Sequence, residues 1–128
     1  MQPHFSTLLS TSSDNSQLTP KPWGWYATMS ELPGHKIKHI GVHPGQRISL
    51  QKHHHRHEHW VVLQGLACVT LGEQTFNLSA GQHCDIAQGL AHRLANPGQQ
   101  PLLILEVQFG DYLGEDDIER LGDDYGRV

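Results

Sequence analysis

From Gly45 to Gly65 the chain reads GQRISLQKHHHRHEHWVVLQG, and this segment sets the expectation of a β architecture. It carries five of the chain's eleven histidines between His53 and His59, then runs into Trp60-Val61-Val62-Leu63 before a closing glycine. Successive side chains on a strand point to opposite faces. If Gln51 points inward, so do His53, Ser49 and Arg47. Further along, Glu58, Trp60, Val62 and Gln64 share a face. The parity changes between His53 and Glu58, so a bulge or corner is expected within His54 to His57, as is common at barrel rims and beside sites. Gln51, His53 and Glu58 then converge. A fourth ligand must come from another strand, and His92 follows Gly89 at a turn into one. His55 is the substitute if the corner falls elsewhere.

The flanking sequence continues the strand pattern. Ile37 to Val42 reads as a strand closed by Pro44-Gly45, and Ile48 to His53 as the next. Glu58 to Gln64, Leu66 to Leu71, Gln74 to Leu78, His83 to Ile86, His92 to Ala95 and Leu102 to Phe109 follow, separated by Gly- and Pro-containing turns. Short strands at this spacing indicate an antiparallel sandwich or barrel, and a closed barrel hides its edges. One short helix is expected at Glu115 to Leu121, with acids in its first turn and Arg120 late, as the helix dipole favours. Residues 1–19, rich in Ser and Thr, read as a loose arm that buries too little surface to offset its ordering entropy. Residues 20–128 form the folded domain.

The whole chain has 128 residues, 37% hydrophobic and 17% charged, which suits one core. Nine Lys and Arg against thirteen Asp and Glu give a net charge of -4, which argues against a general nucleic-acid binder. No apolar run is long enough to span a bilayer, so no membrane partner is expected. Cys68 and Cys84 are too few for a disulfide scaffold and read as buried free thiols. The N-terminus lacks a basic region followed by an apolar run, so a cytoplasmic protein is expected.

Gly45, five residues, Gln51, one residue, His53, four residues, Glu58, six residues, Gly65 resembles the first cupin motif, with Gln in place of the first His. Gly81, five residues, Ala87, one residue, Gly89, two residues, His92, three residues, Asn96 resembles the second, with Ala where Pro is usual. A narrower resemblance runs through Pro22-Trp23-Gly24, PGQRISLQKHHHRHEHWVVLQG (Pro44–Gly65), HRLANPG (His92–Gly98), PLLILEVQ (Pro101–Gln108) and YLGEDDIERLGDDYGR (Tyr112–Arg127). These look like the type II mannose-6-phosphate isomerase domain, commonly the C-terminal part of a bifunctional enzyme with mannose-1-phosphate guanylyltransferase. No Gly-rich nucleotide loop is present, so a stand-alone version is expected.

The resemblance implies an all-β cupin fold, a double-stranded β-helix or jelly-roll barrel, and a homodimer in which Pro20 to Met29 is the candidate exchanged strand. It implies interconversion of mannose 6-phosphate and fructose 6-phosphate through an enediolate, which a Lewis acid stabilises. A divalent metal, zinc by preference, suits Gln51, His53, Glu58 and His92. The sugar phosphate, a small-molecule partner, needs cations. Arg47, by its inward parity, and Arg127, folding back over the barrel mouth, are the candidates. His55, His57, Glu106 and Lys52 are candidates to carry the proton, with Glu106 preferred if its strand faces inward. His54, His57 and His59 read as solvated. Arg56 and Arg93 read as solvated too, and Asp116, Asp117 and Glu119 as a solvated helix face. Two other functions remain open: a non-catalytic module binding a sugar phosphate or nucleotide sugar, and a cupin dioxygenase. The latter ordinarily wants three His and one carboxylate, and Gln51 speaks against it.

Overall fold

A computed structural model describes residues 18–128. Eleven strands are seen: β1 Leu18–Lys21, β2 Gly24–Leu32, β3 His35–Val42, β4 Leu50–Lys52, β5 Arg56–Gln64, β6 Leu66–Leu71, β7 Gln74–Ser79, β8 His83–Ile86, β9 His92–Ala95, β10 Leu102–Gly110 and β11 Glu119–Gly122. They form a six-stranded sheet, β1-β2-β3-β10-β5-β8, and a five-stranded sheet, β11-β4-β9-β6-β7. Every pairing is antiparallel. Among the described residues no helix is long and apolar enough to cross a membrane.

The period-2 pattern explains what lies between the sheets. Lys36, Lys38, Ile40 and Val42 of β3 are buried, as are Leu102, Ile104, Glu106 and Gln108 of β10 and Arg56, Glu58, Trp60 and Val62 of β5. The register sets these residues in levels. Ile104 faces Ile40 and Val62, Glu106 faces Lys38 and Trp60, and Gln108 faces Lys36 and Glu58. The interior is therefore apolar toward Val42 and Leu102 and polar toward Lys36 and Arg56. Val69, Ala67 and Leu94 of the second sheet complete the apolar half. Each aliphatic side chain fully shielded there contributes roughly 1.5–3 kcal/mol. A second, smaller cluster of Trp25, Ala27 and Leu103 packs outside the first.

Gly65, between β5 and β6, adopts φ +93°, and a Cβ there would stand 2.7 Å from the carbonyl oxygen of Pro101. Both the turn and the close approach require glycine.

Two expectations are corrected, the helix at Glu115 to Leu121 and the extent of the Ile48 to His53 strand. No helix forms at Glu115 to Leu121: Glu115 and Asp116 lie in a turn, and β11 adds to β4 with Glu119 opposite Lys52 and Arg120 opposite Gln51. So short a helix is marginal by itself, and a strand edge that accepts its backbone groups wins. Asp117 is correspondingly buried rather than on a solvated face. The ladder of the Ile48 to His53 strand is confined to Leu50–Lys52, with Arg47 in an isolated bridge to Ala95. Pro20 to Met29 pairs within its own chain through β1, β2 and β3. β1 takes in Leu18 and Thr19, the last residues of the expected arm; the rest of the arm lies outside the described residues.

Candidate metal site and its cavity

The corner expected after His53 spans His53 to His55, between β4 and β5. It brings His53 to the level of Glu58, while β9 delivers His92 from the facing sheet opposite Gln51. Ligand atoms of His53, Glu58 and His92 all lie within 4.8 Å of one another. The three side chains are almost wholly shielded from solvent. Glu58 Oε2 is 3.3 Å from His53 Nε2, and Glu58 Oε1 is 3.8 Å from His92 Nε2.

Both histidines present Nε2 to this cluster. His53 donates its Nδ1–H to the main-chain oxygen of Asp117 at 2.6 Å, and His92 donates its own to that of Leu90 at 2.9 Å. A main-chain carbonyl can only accept, so Nδ1 carries the proton in each ring and Nε2 keeps its lone pair. Burial, with Arg56 close by, pushes the His53 pKa down to about 4, and burial lowers that of His92 too. Neutral imidazoles are what a cation needs. Buried His92 Nε2 has no hydrogen-bond partner among the described residues. That orphaned acceptor, beside a carboxylate and a second imidazole, fits a divalent ion.

Gln51 stands at the cluster's edge. Its Nε2 is 3.4 Å from His53 Nε2, and its Oε1 accepts from Ser49 Oγ at 2.7 Å. His55 does not join the cluster: it is exposed, with its ring against Tyr112. His59 faces outward and pairs with Asp85.

His53 also lines a cavity whose walls include Trp23, Tyr26, Lys38, Gln51, Arg56, Trp60 and Glu106. Glu106 faces inward, as its strand parity requires. Its carboxylate accepts from Trp60 Nε1 at 3.0 Å and from Gln108 Nε2 at 2.6 Å. Burial, and then the charge of Glu58, push its pKa up to about 7. Trp60 Nε1 also reaches Glu58 Oε1 at 3.2 Å, so one indole touches both carboxylates.

Cations surround the cavity, though not all those expected. Lys21, Arg120 and Arg127 line it. Arg127 is held by Asp123, with Nε to Oδ2 at 2.9 Å and Nη2 to Oδ1 at 2.7 Å. Arg47 does not line the cavity: it makes a two-pronged pair with Asp124, and both side chains are nearly half exposed. The inward parity expected of Arg47 fails because residues 47–49 lie outside the β4 ladder.

Several residues passed over in the sequence belong here. Arg56, expected in solvent, is buried and donates to Glu58. Lys38 is buried, pairs with Glu115 and sits over the Tyr26 ring. Arg56 Nη1 and Arg120 Nε are buried donors without a partner among the described residues. A signal existed for Arg56, which shares strand parity with Glu58, a residue placed inward. Arg120 had none, since it was read on a helix.

Two sheets rolled around an apolar half and a polar half, with two imidazoles and a carboxylate at one level, define a double-stranded β-helix of the cupin kind. A protein from Klebsiella pneumoniae with a double-stranded β-helix domain superposes with a TM-score of 0.66 at 22% identity, over 84% of this chain and 86% of that one. Bacillus subtilis oxalate decarboxylase, in a structure concerned with its Mn(II) centres, gives 0.70 at 23% identity, over 80% of this chain and 30% of that one. The chain belongs to the mannose-6-phosphate isomerase C-terminal family, whose model matches residues 11–123.

Among relatives, the alginate biosynthesis protein AlgA of Pseudomonas aeruginosa is 55% identical over 108 residues, which is 84% of this chain and 22% of that protein. A mannose-1-phosphate guanylyltransferase of Klebsiella pneumoniae is 47% identical over 107 residues, 84% of this chain and 23% of its own length. The chain thus spans less than a quarter of these two relatives.

Proposed function

We propose that this chain is a metal-dependent isomerase interconverting mannose 6-phosphate and fructose 6-phosphate. The observation that carries the reading is the set of three ligand atoms within 4.8 Å of one another, one of them on His53, which lines a cavity with cationic walls. The family's name supplies the substrate. His53, Glu58 and His92 would hold the metal, with Gln51 beside them. When bound, a divalent ion such as zinc supplies Lewis-acid stabilisation of negative charge developing on the sugar oxygens.

The chain's own residues do the rest. Arg56 orients Glu58 by donating to it. Glu106 takes the proton from C2 of the open-chain aldose and returns it to C1, while a proton leaves O2 and one is gained at O1. Trp60 holds the Glu106 carboxylate in place for that transfer. Arg120 and Arg127, with Lys21, meet the phosphate at the cavity mouth. Arg120 supports this role best, because its Nε is a buried donor without a partner among the described residues, and such a group costs free energy until an acceptor arrives.

The test is a coupled assay of the zinc-loaded chain, run alongside solvent-deuterium incorporation into the hexose phosphate. Turnover with deuterium entering at C1 or C2 supports the isomerase. Tight binding of mannose 6-phosphate with no exchange would leave a binding module in its place.

A further inference from the structure

We propose that Asp117 is the positioning residue that holds His53 ready for the metal, and that occupancy of that site in turn stabilises the segment carrying it. The inference rests on the metal reading above. Residues 111–118 make no strand. They cross the polar end of the barrel from β10 in one sheet to β11 in the other. Leu113 anchors the segment by burying its side chain and accepting from Lys36 Nζ at 2.7 Å through its main-chain oxygen. Glu115 anchors it again, pairing with both Lys36 and Lys38.

Asp117 then clasps the corner that carries the ligand. Its carboxylate accepts from the main-chain N–H of His54 at 2.8 Å and of His55 at 3.0 Å. Its main-chain oxygen accepts from His53 Nδ1 at 2.6 Å. The three bonds fix the corner's backbone, the ring's direction and its tautomer together. The contrast with His92 gives the arrangement its meaning. The ring of His92 is oriented by Leu90, two residues away on the same turn. That of His53 is oriented by a residue 64 positions downstream, on a segment whose Glu115 and Ile118 wall the cavity. One ligand is set by local backbone; the other is set only when the segment is in place. Coupling of this kind is reciprocal: if the segment favours the metal by holding the ring, the metal favours the segment by the same free energy.

The experiment compares the full chain with Asp117→Ala and Asp117→Asn. Zinc affinity is read by competition with a chromogenic chelator, and the His53 tautomer by long-range proton–nitrogen NMR on metal-free protein. Hydrogen exchange of residues 111–118 is followed with and without zinc. Asp117→Ala keeps the main-chain oxygen that accepts from His53 but frees it from the clasp on His54 and His55, so we expect zinc to weaken by up to about 10–100-fold, the range for loss of a partner that orients a ligating histidine. His53 should then become a mixture of tautomers while His92 keeps its own. Zinc should slow exchange in 111–118 in the wild type and much less in the variant. Asp117→Asn, whose single amide oxygen can replace one of the two carboxylate contacts, should recover part of the loss.

Zinc affinity within twofold of wild type and an unchanged His53 tautomer in Asp117→Ala overturn the proposal. If that variant does not fold, the same two results in Asp117→Asn overturn it. A wild-type chain that binds no zinc refutes the metal reading instead, and the tautomer comparison on metal-free protein still decides whether Asp117 holds His53.

Discussion

Arg56 and Glu58 lie two residues apart on one strand and meet inside the barrel, where Arg56 Nε and Nη2 each stand 2.9 Å from the same oxygen, Glu58 Oε2. Glu58 Oε1 is left to Trp60 and His92. Because both side chains are buried, removing one partner strands the other's charge in a poorly solvated place. Arg56→Met is therefore expected to destabilise the metal-free protein by about 3–5 kcal/mol, the usual cost of breaking a buried pair. Urea denaturation in the presence of chelator measures it; a loss below 1 kcal/mol would mean that Glu58 finds other compensation.

The metal reading separates histidines that look alike in sequence. His92→Ala should abolish most zinc binding, because it removes a buried ligand atom with no alternative nearby. His59→Ala should leave zinc stoichiometry unchanged, because His59 faces outward beside Asp85. Metal analysis after dialysis decides it, and the reverse order would misplace the site. In the wild type, free zinc at a hundred times its dissociation constant should raise stability by about 2.7 kcal/mol, and chelation should remove the gain.

Phosphate recognition should follow the cavity wall. Arg120→Met is expected to weaken mannose 6-phosphate binding about 10–100-fold, corresponding to one charged hydrogen bond of roughly 1.5–3 kcal/mol, with unphosphorylated mannose little affected. Arg47→Ala should change neither, since Arg47 is already paired with Asp124 outside the cavity. Calorimetric titration of both sugars into both variants checks this, and the opposite ranking would restore Arg47.

The C-terminal segment carries a pH signature. Asp123 is pushed down to about 2 by its hydrogen bonds with Arg127. A carboxyl depressed by folding stabilises the folded state above its ordinary value near ~3.9, and this contribution is lost as pH falls through the folded value. The Arg127 clasp should thus open between about pH 4 and pH 2. Carbon-detected NMR of the Asp123 carboxyl should give a midpoint near the lower end in the wild type and nearer the ordinary value in Arg127→Ala. Identical midpoints would show that Arg127 is not the cause.

Much of the architecture was legible because it rests on local rules. The strands from Gln74 to Ile86 and from His92 to Phe109 fall within a residue or so of their expected places, because alternation and turn glycines act over a few residues. The approach of His53 to Glu58 was legible from parity and a needed corner, and His92 from its place in the second motif; the three do meet. What escaped notice had a local signal pointing the wrong way. Acids followed by Arg120 looked like a helix, and a cation between histidines looked solvated. Lys36 and Lys38 share a face with Ile40 and Val42, a pattern that reads as a surface strand until Glu115 is known to meet both.

By itself, then, the sequence determined where most strands run and how side chains alternate along them, since pleat and turn are properties of a few consecutive residues. Only the tertiary structure decided which cation faces the cavity and which is spent in a surface pair, and that a segment after β10 would hold the ring of His53. Those outcomes join residues 64 and 77 positions apart. At such separations the partner of a charge is chosen by how the sheets close, and no spacing along the chain encodes it.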